Sequence, residues 1–184
     1  MFKCVAINSI TGGVSMKFKK VKREDLRLNP ITMFADDWPL LTAGNKKNGY
    51  NTMTIAWGHI GAIWNKPTMV VYVRPQRYTK EFMDCNELFT VSVLSSEYKE
   101  ALTYLGTTSG RDEDKVAKVG ITPVFDDDAT YFEEAKMVFI CRIIYEDPII
   151  EYGFLKESFV YQMYPEKDFH AMYIGEIVEI LIRS

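Results

Sequence analysis

A chain of 184 residues and 21.3 kDa, 47% hydrophobic and 14% aromatic, can bury a core without disulfides or a metal and is too apolar to stay disordered. Its 22 Lys+Arg against 25 Asp+Glu leave a net charge of −3, which supplies no basic field for a nucleic acid. The longest apolar stretches, Met69–Val73 and Met137–Ile140, fall far short of the roughly 20 residues of a membrane span, so neither nucleic acid nor membrane is expected as a partner.

In chain order, residues 1–15 read as a tail or an upstream start. A Gly12-Gly13 pair precedes Met16 and the run Lys17-Phe18-Lys19-Lys20, with no apolar core of the kind a secretory signal carries. Residues 16–184 then form one domain. Leu40–Thr42, Thr52–Trp57 and Thr68–Val73 read as strands, separated by the turn-rich Gly44–Gly49 and by the loop Asn65-Lys66-Pro67. Helices are predicted over Thr79–Cys85, with Thr79 as N-cap, over Ser95–Leu105, stopped by Gly106, and over Asp112–Val119, stopped by Gly120. Acids open the third helix and lysines close it, which suits the helix dipole and offers an anion site at its N-terminus. Leu88–Leu94, Phe139–Ile144 and Met172–Ile182 alternate with period two and complete the strands. The fold class is mainly β, a barrel with peripheral helices.

Cys4, Cys85 and Cys141 are odd in number and widely spaced, which predicts structural roles in a reducing cytoplasm. With only His59 and His170 beside them, no zinc site is expected. The Rossmann, P-loop, nucleophile-elbow and zincin motifs are all absent.

Three segments can carry chemistry. Arg74-Pro75-Gln76-Arg77-Tyr78-Thr79-Lys80 gathers cations and a hydroxyl where a strand meets a helix, and reads either as a phosphate site or as a solvated rim. Gly106-Thr107-Thr108-Ser109-Gly110-Arg111-Asp112 reads either as a loop wrapping a phosphate or ring edge through its backbone N–H groups, or as an ordinary interhelical connection. His170, in His170-Ala-Met-Tyr-Ile-Gly-Glu176, is either a satisfied structural residue or a proton donor or ring contact.

Taken in order with Pro39–Gly44, Asn51–Trp57, Val71–Thr79, Phe89–Ser92 and Leu105–Lys115, these segments resemble the flavin reductase-like family, the FMN-binding split barrels that include flavoredoxin. The resemblance implies a six-stranded Greek-key split β-barrel and a homodimer with FMN at the subunit interface. It matches Asn51, Thr52, Met53 and Thr54 to the strand along the flavin, with Trp57 following. It matches Arg74, Arg77, Tyr78 and Thr79 to the phosphate, with Lys80 near enough to help, and Ser109, Gly110 and Arg111 to the loop closing over the flavin. His170 falls where such reductases place a histidine near the ring and the nicotinamide, and is the implied catalytic residue. His59 stands where many relatives carry a small residue, and reads as a second active-site imidazole or as an exposed loop residue. The implied function is an FMN-dependent oxidoreductase using NADH or NADPH. The alternatives are a flavoredoxin-type carrier reduced by a protein partner, a non-catalytic flavin-binding module, or, less favoured, a pyridoxamine-phosphate-oxidase-type reaction.

Overall fold

The structure, a computed structural model, describes residues 17–184, so the reading of residues 1–15 as a tail lies outside the described residues, as does Cys4. Ten strands form: β1 (Phe18–Lys20), β2 (Leu40–Asn45), β3 (Gly49–Thr54), β4 (Gly58–Ile63), β5 (Lys66–Val73), β6 (Leu88–Val93), β7 (Pro123–Asp126), β8 (Ala129–Phe132), β9 (Met137–Pro148) and β10 (Ala171–Arg183). One antiparallel sheet runs in the order β3-β2-β6-β9-β10-β5-β4, with β1 added to β10, while β7 and β8 pair only with each other.

Alternation along the strands sends neighbouring residues to two separate cores. Leu41, Phe139 and Cys141 join the first; Leu40, Val138 and Ile140 join the second. Met53 on β3 and Val71 on β5 share the first core although their strands lie near opposite ends of the path, so the sheet is rolled around it. The two end strands, β3 and β4, do not pair with each other.

Five helices lie outside the sheet: α1 (Pro30–Thr32), continued by a wide turn over Met33–Asp37, α2 (Tyr78–Cys85), α3 (Lys99–Thr107), α4 (Lys115–Val119) and α5 (Glu157–Met163). Leu102 and Leu105 of α3 and Val116 of α4 enter the second core beside Tyr131 and Phe132.

Several predicted boundaries move for physical reasons. The strand expected to reach Trp57 stops at Thr54, because Ile55 N–H bonds Pro39 O and the chain then turns toward β4. His59 belongs to β4 rather than to a loop, and is exposed there. The turn placed at Asn65-Lys66-Pro67 is Trp64–Asn65, both at positive φ, as a two-residue hairpin requires. Pro67 sits within β5, next to the stretch where β10 begins to pair. Arg77, not Thr79, holds the N-cap position of α2. The helix expected from Ser95 opens as a 3-10 turn (Ser96–Tyr98) and continues through Gly106 to Thr107. The one expected from Asp112 starts at Lys115, where Asp114 Oδ1 already accepts from Ala117 N–H, so that N-terminus is filled from within.

Gly175 of β10 shows how tightly the first core is built. A Cβ there would lie 2.5 Å from the Phe89 ring and 2.9 Å from Cys141 Cβ. Gly175→Ala is expected to destabilise the fold by about 1–3 kcal/mol, the usual cost of overpacking, read as a lower urea midpoint at unchanged slope.

Candidate active site

The chain leaves β5 at Val73 and turns sharply, Arg77 N–H donating to Arg74 O at 3.0 Å, before α2 begins. No side chain caps the start of α2, so its first N–H groups face outward as donors for an anion. Thr79 in the first turn is buried, and its Oγ1 accepts from Asn51 Nδ2 on β3 at 2.8 Å. Across from this pair runs the loop after α3. A Cβ on Gly110 would come within 2.1 Å of Asn51 Oδ1, so only glycine lets the loop approach so closely.

From α4, Lys115 reaches under the same loop and is only 4% exposed. Its Nζ donates to Leu105 O at 2.7 Å and to Thr108 O at 2.8 Å, which leaves one of its three ammonium hydrogens for another acceptor. Burial, and secondarily the Arg77 charge, pull its pKa down to about 8. Arg77 spends Nη1 on Gly106 O at 3.0 Å and keeps the rest of its fork. Together Asn51, Met53, Arg77, Tyr78, Thr79, Thr107–Gly110 and Lys115 surround a cavity of about 260 Å³. With two cations and an uncapped helix start, it is built for an anion.

A second cavity of about 220 Å³ shares Met53 and Arg77 with the first, and continues along Thr54–Trp57 to Tyr72, Arg74 and His170. Trp57 and His170 lie 4.8 Å apart, their planes tilted by 43°. His170 Nδ1 meets the Tyr164 hydroxyl at 2.9 Å. Burial first, and then the Arg74 cation, lower its pKa to about 4, so the ring is neutral at physiological pH.

The predicted residues therefore divide. Asn51, Met53, Arg77, Tyr78, Thr79, Ser109 and Gly110 meet around the first cavity, and Thr54, Trp57, Arg74 and His170 join Met53 and Arg77 around the second. Arg74 is paired with Asp168 and donates Nη2 to Met163 O at 2.9 Å, which places it beside His170 rather than in the anion cavity. Thr52 lines neither cavity, its hydroxyl being shared between Thr42 Oγ1 at 2.8 Å and Leu41 O at 3.2 Å. Lys80 is also elsewhere, bonded to Asp84 and to the Tyr173 hydroxyl, each at 2.9 Å. Arg111 stacks 4.7 Å over the Tyr78 ring, pairs with Glu81 and borders an adjoining hollow. Gln76, Thr107 and Thr108, which belong to the two candidate segments but were given no role of their own, also line the anion cavity, and Lys115 does so without having been singled out. The signal for Lys115 was faint, since one lysine in a short charged helix looks like any solvated one. Among the described residues no group of His, Cys, Asp and Glu is arranged to hold a metal.

A family model described as "Flavin reductase like domain" matches residues 33–184. No curated protein matches the chain. Flavoredoxin of Desulfovibrio vulgaris (Miyazaki F) superposes with a TM-score of 0.63 at 24% identity, over 89% of this chain and 77% of that one. An FMN-binding domain of a flavin reductases-like enzyme from Shewanella baltica OS155 gives 0.63 at 15%, over 93% and 80%. Nitrilotriacetate monooxygenase component B from Bacillus cereus gives 0.60 at 17%, over 84% and 80%. At these identities the likeness is one of fold, the mainly β split barrel.

The lowered pKa of His170 has two consequences. Between its ordinary value of 6.5 and about 4 the folded chain holds fewer protons than the unfolded one, so the stability that the neutral ring contributes is lost as pH falls through that window. Ring-nitrogen NMR should find the His170 imidazole neutral from pH 8 down to about 5, with its midpoint near 4. A midpoint near 6.5 would mean that the ring is not desolvated.

Proposed function

The chain belongs to the flavin reductase-like family, and on that premise we propose that it is an FMN-binding oxidoreductase, a flavin reductase supplied with electrons by NADH or NADPH. The observation that carries the reading is that the two cavities adjoin, sharing Met53 and Arg77. A cradle holding Lys115 and Arg77 adjoins a slot where Trp57, Tyr72 and the uncharged His170 stand with Arg74 and Arg77, which suits a ligand with a charged phosphate at one end and a flat ring with a polar edge at the other.

In this reading Lys115, Arg77 and the open N–H groups of α2 hold the phosphate, while the Asn51–Thr79 bond keeps β3 and α2 in register around it. Met53 and residues 54–57 carry the ribityl chain toward the slot, and Trp57 offers apolar surface to the ring. When bound, FMN supplies the hydride and electron chemistry, and the protein's part is to bind and orient. His170 acts there as a neutral imidazole. In the tautomer whose Nδ1 accepts from the Tyr164 hydroxyl, the Nε2–H is left to donate to the flavin edge or to the incoming nicotinamide. The proposal includes a homodimer with FMN at the subunit interface, Arg111 closing over the flavin, and a cytoplasmic location.

A second reading, a flavoredoxin-type carrier reduced by a protein partner, is favoured by the apolar surface around α5. Tyr152, Leu155, Phe159 and Tyr161 are there 88%, 102%, 51% and 69% exposed, the kind of patch that marks a protein contact. Anaerobic stopped-flow mixing separates the two readings, because a reductase bleaches with NADH or NADPH and a carrier with neither.

The phosphate assignment is tested by comparing FMN with riboflavin, which lacks the phosphate. FMN should bind more tightly by on the order of 10- to 100-fold, the equivalent of the ~1.5–3 kcal/mol of a hydrogen bond to a charged group. Lys115→Met and Arg77→Ala should each erase much of that difference while leaving riboflavin affinity nearly unchanged. The difference should also shrink as pH rises through about 8, where Lys115 loses its proton. Unchanged FMN affinity in Arg77→Ala would remove the phosphate from this cavity.

A further inference from the structure

Beyond the ring slot the surface opens into a third and larger chamber of about 530 Å³, in the size range of small-molecule sites. It adjoins the slot, with which it shares Ala56, Trp57 and Tyr72. Its remaining walls come from α1 and the wide turn after it, from β4 and from Ile149. No Lys, Arg, Asp or Glu lines it.

The walls are fitted to one another. A Cβ on Gly58 would lie 2.3 Å from the Phe34 ring, so the glycine opening β4 is what seats Phe34 against the strand. Phe34 itself stands in the wide turn Met33–Asp37, a helical irregularity often found at functional sites. One polar pair stands in this wall, where the Tyr72 hydroxyl meets His59 Nδ1 at 3.4 Å with the two rings edge to face, and Trp57 adds its indole N–H to the lining. Burial raises the Tyr72 pKa, so the phenol keeps its proton as a donor. His59, left without a role by the FMN reading, thus has a position of its own.

We propose that this chamber binds a second, uncharged ligand: a flat, mainly apolar ring compound with a carbonyl oxygen, of the quinone or aryl-ketone class. The ring would pack among Phe34, Trp57 and Ile60, and the carbonyl oxygen would accept from the Tyr72–His59 pair. The absence of a charged side chain from the lining, among the described residues, disfavours phosphates and carboxylates, and the Tyr72–His59 pair suits one oxygen in a mainly apolar outline. The inference rests on the FMN reading in one respect: a ligand here lies beside the slot assigned to the flavin ring, where an electron acceptor belongs.

The test is calorimetric titration of the FMN-loaded protein with 2-methyl-1,4-naphthoquinone, with 2-methylnaphthalene as the carbonyl-free control and FMN retention followed by visible absorption. Wild-type protein should bind the quinone saturably and more tightly than the hydrocarbon. Ile60→Trp, which fills the chamber, should weaken the quinone by about tenfold or more while FMN stays bound. Tyr72→Phe should weaken it by about fivefold, the loss of a neutral hydrogen bond, and leave the hydrocarbon unaffected. Retained FMN with no saturable quinone binding would overturn this inference alone. Quinone binding lost in Ile60→Trp, in a chain that does not hold FMN, would support the chamber and sink the flavin reading. Equal affinity for quinone and hydrocarbon, or indifference to Tyr72→Phe, would overturn carbonyl recognition. Sedimentation velocity covers the remaining occupant. A wild-type dimer that becomes a monomer in Ile60→Trp, with no quinone bound by either, would make the chamber a contact between copies of this chain and overturn the proposal.

Discussion

The hydrogen bond from Asn51 Nδ2 to Thr79 Oγ1 is the constraint on which the site depends. It is buried, so breaking it would strand two polar groups away from water, a cost larger than the net worth of the bond itself. It ties β3, at one end of the sheet path, to the start of a helix that leaves β5 near the other end. The loop after α3 can then reach Asn51 only because residue 110 has no Cβ. Three segments far apart in sequence are thereby held around one small volume, and each cation that enters it does so from a fixed backbone.

Burial sets the electrostatic character of the site from end to end. Lys115 and His170 are both desolvated and both feel a neighbouring arginine, and both pKa values fall. The outcomes differ because the starting points differ. A lysine lowered to about 8 remains largely charged at neutral pH, whereas a histidine lowered to about 4 is uncharged. One physical effect therefore keeps Lys115 charged in the cradle and His170 uncharged in the ring slot, where Arg74 and Arg77 supply the charge, and the chamber past Trp57 adds a third zone without a charged side chain among the described residues. Cationic side chains thus line the cradle and the slot and are missing from the described walls of the chamber, which suits the proposed phosphate, polar-edged ring and uncharged acceptor in that order.

Much of this was legible in the sequence where local pattern and tertiary role coincide. β2, β5, β6, β9 and β10 stand out as short runs rich in apolar and β-branched residues, with successive side chains of β2 and β9 sent to the two cores in turn, and the cationic junction after β5 is visible as a run of residue types. β4 escaped because Gly58-His59-Ile60-Gly61-Ala62-Ile63 is mostly exposed and carries no alternation. β7 and β8 escaped because each has four residues and pairs only with the other. Gly106 looked like a helix stop, yet α3 runs through it to Thr107, and the glycine serves close packing instead, since a Cβ there would lie 3.1 Å from Thr54. The role of Lys115 was hidden for a different reason: its burial is produced by the carbonyls of Leu105 and Thr108 folding over it, and nothing in residues 112–119 encodes that. Arg74 and Lys80 belong to the same cationic run as Arg77, but Asp168 claims the first and Asp84 with Glu146 the second. Sequence reveals which side chains are near the junction, and only the packing decides which of them are free to bind.

The central claim is that the cradle and the slot together hold one FMN. The most direct measurement is the visible spectrum of the purified protein after incubation with one equivalent of FMN and passage through a desalting column. The account predicts a yellow protein with the two-banded flavin spectrum, its bands sharpened and shifted from those of free FMN by the enclosing slot. Colourless protein, with the flavin emerging separately in the small-molecule volume, would contradict it.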